Sequence, residues 1–151
     1  MAEFIDNLGW KNVALIYHTD TWAWTYGEKI AEELVGRGIN IVNDIDLRVI
    51  DTADPSEVTD AVISPIVTPI WNSKVRMVIA LLPWGYGPIF DTILQKFSDL
   101  GAVPGDILFM VNAMLTGSFV NPLVDNLGFE VASLFKGSLE FVQSTYLGEL
   151  G

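Results

Sequence analysis

The chain has 151 residues, half of them hydrophobic, with a mean hydropathy of +0.39 and a formal net charge of −11. That length suits one domain with a sizeable core, and so apolar a composition requires strands buried on both faces or a surface covered by a partner. The acidic balance argues against nucleic acid or an anionic membrane as a partner, since both need a basic patch; zero cysteines exclude a disulfide framework, a thiolate metal site and a cysteine nucleophile.

In chain order, MAEFIDNLGW is no signal peptide, because Glu3 and Asp6 interrupt any apolar core. If the protein is exported, its signal is expected outside this chain. A short helix is expected over Ala2–Leu8, ending at Gly9, and a buried strand over Val13–Tyr17 (VALIY). The segment YHTDTWAWTYG then reads as a loop. A helix follows over Thr25–Val35, with apolar residues at Tyr26, Ile30, Leu34 and Val35 and with Glu28, Glu32 and Glu33 on a solvated face. Gly36 and Gly38 end it. Ile39–Ile45 reads as a second strand and Leu47–Ala53 as a connection. Asp54-Pro55-Ser56-Glu57 signals a helix start, and Pro65 and Pro69 are expected to bend or end that helix.

Met77–Leu82 (MVIALL) is a third strand, Ile89–Leu100 an amphipathic helix closed by Gly101, and Ile107–Val111 a fourth strand. The uncharged run Ile107–Val124 approaches the length of a membrane span, but Asn112, Thr116, Gly117, Ser118, Asn121 and Pro122 break it into strand, loop and helix start. Asn121–Leu127 is a further helix candidate, and Glu130–Phe141 carries a last apolar stretch. Strands alternating with helices at this spacing predict an α/β fold: a three-layer, doubly wound parallel sheet of flavodoxin-like order 2-1-3-4-5 with helices on both faces. No internal repeat or domain boundary interrupts it, so residues 1–151 read as a single α/β lobe.

Such sheets bind ligands at the carboxyl ends of their strands. Three connections leave there: YHTDTWAWTYG, LPWGYGP and NAMLTGSF, the first two rich in aromatics. The opposite-end connections (VGRGIN, NSKVR, DLGAVPGD) are ordinary turn punctuation. A threonine-rich phosphate loop for FMN is disfavoured, because two tryptophans crowd the segment, Asp20 repels an anion and no glycine precedes Gly27. His18 with Asp20 lacks a third metal ligand at good spacing, and no nucleophile elbow is present. No catalytic residue, metal or cofactor is expected. What remains is an aromatic-lined site for a small organic ligand. Trp22, Trp24, Tyr26, Trp84 and Tyr86 supply walls on which a cation can also stack. His18, Thr19, Asp20, Thr21 and Asn112 supply polar anchors.

The run GWKNVALIYHTDTWAWTYGEKIAEELVGRGINIV resembles the opening of the second lobe in type I periplasmic-binding-protein-like domains, the group of natriuretic peptide and class C receptor ectodomains. RMVIALLPWGYGPIFDTILQKFSDLGAVPGDILFMVNAM is similar to the segment that follows there. The resemblance covers most of residues 2–115. It implies a non-enzymatic, extracellular or periplasmic lobe that senses a small molecule such as an amino acid by closing on another lobe, a hinge motion. The first lobe would then be a partner outside this chain. The neighbourhoods His18–Tyr26 and Pro83–Tyr86 would face the cleft between lobes. Two alternatives stay open: an interaction or dimerisation module of the same fold that has lost its ligand, with a second copy as candidate partner, and a flavodoxin-like enzyme.

Overall fold

In the computed structural model, which describes residues 1–52, 54–82, 87–112 and 127–141, the chain alternates strand and helix. The elements are α1 (Ala2–Asn7), β1 (Asn12–His18), α2 (Thr21–Gly36), β2 (Asn40–Ile41), β3 (Val49–Ile50), α3 (Asp60–Asn72), β4 (Met77–Leu81), α4 (Gly87–Asp99), β5 (Leu108–Asn112) and β6 (Leu139–Phe141). Among the described residues every strand pairing is parallel, in the order β2-β1-β4-β5-β6, with β3 also on β1. β2 pairs with Asn12 and Val13, and β3 with Tyr17 and His18. They are two short pieces of one neighbour, so the predicted order 2-1-3-4-5 holds when they are counted together.

Alternation along β1 sends successive residues to opposite faces. Val13, Leu15 and Tyr17 join Ile30 and Leu34 of α2 and Ile5 of α1 in one apolar cluster. Ala14 and Ile16 join Ile63, Ile66, Val67 and Ile70 of α3 and Ile89, Phe90, Ile93, Leu94 and Phe97 of α4 in the other. Each large aliphatic or aromatic side chain buried this way contributes about 1.5–3 kcal/mol. Two such layers on one sheet explain the high apolar content without a membrane. Among the described residues no helix is long and apolar enough to span one.

Four expectations need correction. First, the segment after β1 is not a loop through Thr25: α2 begins at Thr21, and only Thr19 and Asp20 connect it to the strand. Asp20 is the N-cap, its side chain accepting the Trp22 amide hydrogen at 3.0 Å. Second, the second strand is not continuous over Ile39–Ile45. Only Asn40–Ile41 pairs there, a 3-10 turn occupies Ile45–Leu47, and pairing resumes at Val49 inside the expected connection. The side chain of Asn43 fills the gap. Its Nδ2 donates to the Leu15 carbonyl at 2.8 Å, and its Oδ1 accepts from the Leu15 amide at 3.1 Å.

Third, Pro55–Glu57 forms only a 3-10 turn, and α3 starts at Asp60. Fourth, the prolines do not end the helix: α3 runs through both Pro65 and Pro69 to Asn72. The prolines stand four residues apart on its exposed face, while Ile63, Ile66, Val67 and Ile70 are buried. Each proline deprives the carbonyl four residues before it, that of Ala61 or Pro65, of a helical partner, and an exposed face is where water can take that place. Residues 127–132 are helical and lead through a 3-10 turn, Ser133–Phe135, into β6. The rest of the Asn121–Leu127 expectation, and the part of the uncharged run after Asn112, fall outside the described residues.

Candidate functional site

The carboxyl ends of β1, β3, β4 and β5 lie together on one edge of the sheet, fixed by their parallel registers. The described part of this edge is built from His18, Thr19 and Asp20 after β1, the first turn of α2, Asp51 and Thr52 after β3, Leu82 after β4 and Asn112 ending β5.

His18 is 3% exposed. Its Nδ1 accepts the Asp20 amide hydrogen at 2.8 Å. The ring hydrogen therefore resides on Nε2, which lies 2.6 Å from the Thr52 carbonyl and donates to it. The imidazole thus ties the end of β1 to the chain leaving β3. Beside it, the Thr19 amide donates to the Ile50 carbonyl at 3.1 Å, and the Thr19 hydroxyl donates to Asp51 Oδ1 at 3.1 Å. Thr52 Oγ1 donates to the Asp54 carbonyl and lies 3.2 Å from Glu57 Oε2. Asp54 in turn accepts from Ser56, which holds its carboxyl below the usual carboxylate range.

Asn112 is 2% exposed, with both ends of its amide on the Leu82 backbone: Nδ2 to the carbonyl at 2.9 Å, Oδ1 from the amide at 3.1 Å. It adds one rung to the β4–β5 ladder beyond the last backbone pair, as Asn43 does for β1. Trp84 and Tyr86 lie outside the described residues.

The aromatic residues of the first connection divide between two flanks of α2. Trp22 and Tyr26, four residues apart and half-buried, pack at 5.0 Å between ring centroids, with Tyr26 against the α1–α2 core. Trp24, 44% exposed, sets its edge on Tyr17 at 5.8 Å and 75°. Tyr17 itself is fully buried, and its hydroxyl donates to Glu28 Oε1. Burial, then the hydrogen bond and charge of Glu28, push this phenol far above its ordinary range. Glu28, read as part of a solvated face, thus has a structural partner.

The structure brings His18, Thr19, Asp20 and Trp22 to one rim. It adds Asp51 and Thr52, which sequence reading left in a connection; the apolar pair Val49–Ile50 before them is the signal that marks a strand end. Beside Glu57, which meets the Thr52 hydroxyl, residues 18–22, 51 and 52 of the rim carry two carboxylates, Asp20 and Asp51, and no lysine or arginine. Each has one oxygen engaged, Asp20 with the Trp22 amide and Asp51 with Thr19. Among the described residues no group of three side chains could hold a metal ion.

Comparison with known proteins adds three findings. A family described as the receptor family ligand binding region matches residues 1–147. No curated protein sequence matches. Among solved structures, the chain is similar to a candidate branched-chain amino acid ABC transporter protein from Rhodospirillum rubrum (TM-score 0.61, 14% identity, 86% of this chain and 32% of that one). It is also similar to a solute binding protein of an ABC transporter from Rhodopseudomonas palustris HaA2 in complex with p-hydroxybenzoic acid (TM-score 0.55, 18% identity, 83% and 31%). An ABC-transporter solute binding protein from R. palustris in complex with 4-hydroxybenzoate is a third (TM-score 0.56, 16% identity, 83% and 31%). At such identities these likenesses speak to the fold alone. The chain spans about a third of the length of each.

Proposed function

This chain belongs to the family of receptor ligand-binding regions, and we propose that it serves as one lobe of an extracytoplasmic, non-enzymatic receptor or binding protein that closes with a second lobe on a small molecule. The observation that carries the proposal is the rim after β1 and β3. There Thr19, Asp20 and Asp51 stand beside the first turn of α2, which carries Trp22, at the sheet edge where this architecture binds ligands. Carboxylates with no lysine or arginine among residues 18–22, 51 and 52 select a ligand that presents an ammonium or hydrogen-bond donors to this lobe, as an amino acid does. Its carboxylate would face the other lobe. The solved neighbours, named for branched-chain amino acids and hydroxybenzoate, support a small organic ligand of this size.

The test is an amide chemical-shift titration of the 151-residue chain with a panel of amino acids. Saturable shifts are expected at Thr19–Trp22 and Asp51. Affinity should be weak, on the order of millimolar, because half the contacts are missing. Asp20→Asn keeps an N-cap of equal quality while removing the charge, and should weaken binding several-fold. Shifts confined to helix faces remote from this rim would overturn the reading, in favour of an interaction module of the same fold.

A further inference from the structure

The opposite edge of the sheet carries an open recess of about 190 Å³, lined by Trp71, Lys74, Val75, Arg76 and Asp106. It sits at the amino ends of β4 and β5, where the Leu108 amide donates to the Arg76 carbonyl at 2.7 Å. The length of β4 separates it from the rim, about 13 Å of strand. The recess holds several waters' volume, at about 30 Å³ each, and is smaller than the roughly 300 Å³ at which drug-sized sites begin.

Lys74 is the anomaly that marks it. Among the described residues, six glycines and this one lysine adopt positive φ, Lys74 at 61°. Glycine is the residue this conformation favours, and it stands at every other such described position. Here a side chain is kept, and its ammonium lies 5.4 Å from the Trp71 ring centroid at the recess. The turn is braced around it: the Lys74 amide donates to the Trp71 carbonyl, and the Ser73 hydroxyl to that of Ile70 at 2.7 Å. Among the described residues neither Lys74 nor Arg76 has a carboxylate within 4.0 Å, in a chain whose net charge is −11. Asp106 is held by the Val103 amide at 3.0 Å.

We propose that this recess is a second ligand site, taking a small aromatic monocarboxylate. Lys74 and Arg76 would bind the carboxylate, Trp71 and Val75 would pack against its apolar body, and Asp106 would select against multiply charged anions such as phosphate. The site is independent of the ligand rim proposed above.

The experiment titrates the 151-residue chain with benzoate, with the neutral isostere benzamide and with inorganic phosphate. It follows the Trp71 indole resonance, assigned by Trp71→Phe, and the Lys74–Arg76 amides. Benzoate should give saturable shifts there while Thr19–Trp22 stays still; benzamide and phosphate should bind at least about tenfold more weakly, since a charge-assisted contact is lost or Asp106 opposes it. Lys74→Gly suits the positive φ, so the fold should be at least as stable, yet benzoate binding should fall by about tenfold or more; Arg76→Gln should weaken it similarly. Equal binding of benzamide, benzoate shifts confined to the rim, or unchanged affinity in both Lys74→Gly and Arg76→Gln would each overturn the proposal.

Discussion

Replacing Gly27 with alanine tests how closely α2 rides on the first strand. A Cβ at Gly27 would meet Tyr17 Cγ at 2.5 Å and both Cδ atoms at 2.7 Å. The ring cannot retreat cheaply, because it is fully buried and its hydroxyl is bonded to Glu28. Alanine gains about 1 kcal/mol of helix propensity over glycine. Against this stand about 1–3 kcal/mol for overpacking and, if the ring swings, about 1.5–3 kcal/mol for a hydrogen bond to a charged group. The net expectation is a loss of about 2 kcal/mol, or roughly 4–8 °C in Tm for a domain of this size. Gly36 is the control on the same helix: nothing lies within 4 Å of a Cβ built there, so Gly36→Ala should be neutral or stabilising by up to about 1 kcal/mol. Urea unfolding of both variants gives the comparison. If Gly27→Ala is as stable as Gly36→Ala, the tight seat of α2 on Tyr17 is wrong.

Three further outcomes follow from the same contacts. The Tyr17 phenol should stay neutral when the other tyrosines ionise in an absorbance titration near 295 nm. Its folded pKa is raised above the unfolded value of 10, so its contribution is fully present below about pH 10 and falls as pH rises beyond; Tyr17→Phe should flatten that alkaline decline. His18→Ala removes the tie between Asp20 and Thr52 and should lower stability by about 1–3 kcal/mol in denaturant unfolding, since the buried Thr52 carbonyl loses its donor. Asn43→Asp sets a carboxylate oxygen against the Leu15 carbonyl. Its carboxyl must be protonated to donate there, so its folded pKa should rise, and the variant should lie nearer the parent in stability at pH 4 than at pH 7.

The fold was legible where apolar periodicity and burial coincide. β1, β4 and β5 are runs of Val, Ile, Leu, Met and Phe buried on both faces, and such runs in a βαβ rhythm have few other solutions. The misreadings came from single side chains that replace backbone chemistry. Asn43 keeps β1 paired where its neighbour has no strand, so the second strand looked like one segment and a connection. Pro65 and Pro69 read as breakers because proline removes a backbone donor; spacing both on the solvent face of α3 leaves the buried face intact, a placement visible only once that face is known.

At the rim, too, side chains take over backbone chemistry. YHTDTWAWTYG looked like a ligand loop because it gathers polar and aromatic residues after a strand. Much of that chemistry holds the structure itself: Asp20 caps α2, His18 ties two strand ends, Asn112 extends a ladder, and Trp24 braces Tyr17. These bonds tie the first turn of α2 and the chain after β3 to the end of β1. If, as proposed, the lobe meets its ligand only when another lobe closes, such a tied edge helps, because ordering it during binding would subtract from an already weak half-site. On this argument affinity should depend on the Asp20 and Asp51 charges, and His18 should act on binding only through stability. Asp20→Asn should therefore change affinity at constant Tm, whereas His18→Ala should change Tm and leave the affinity of the folded fraction near that of the parent.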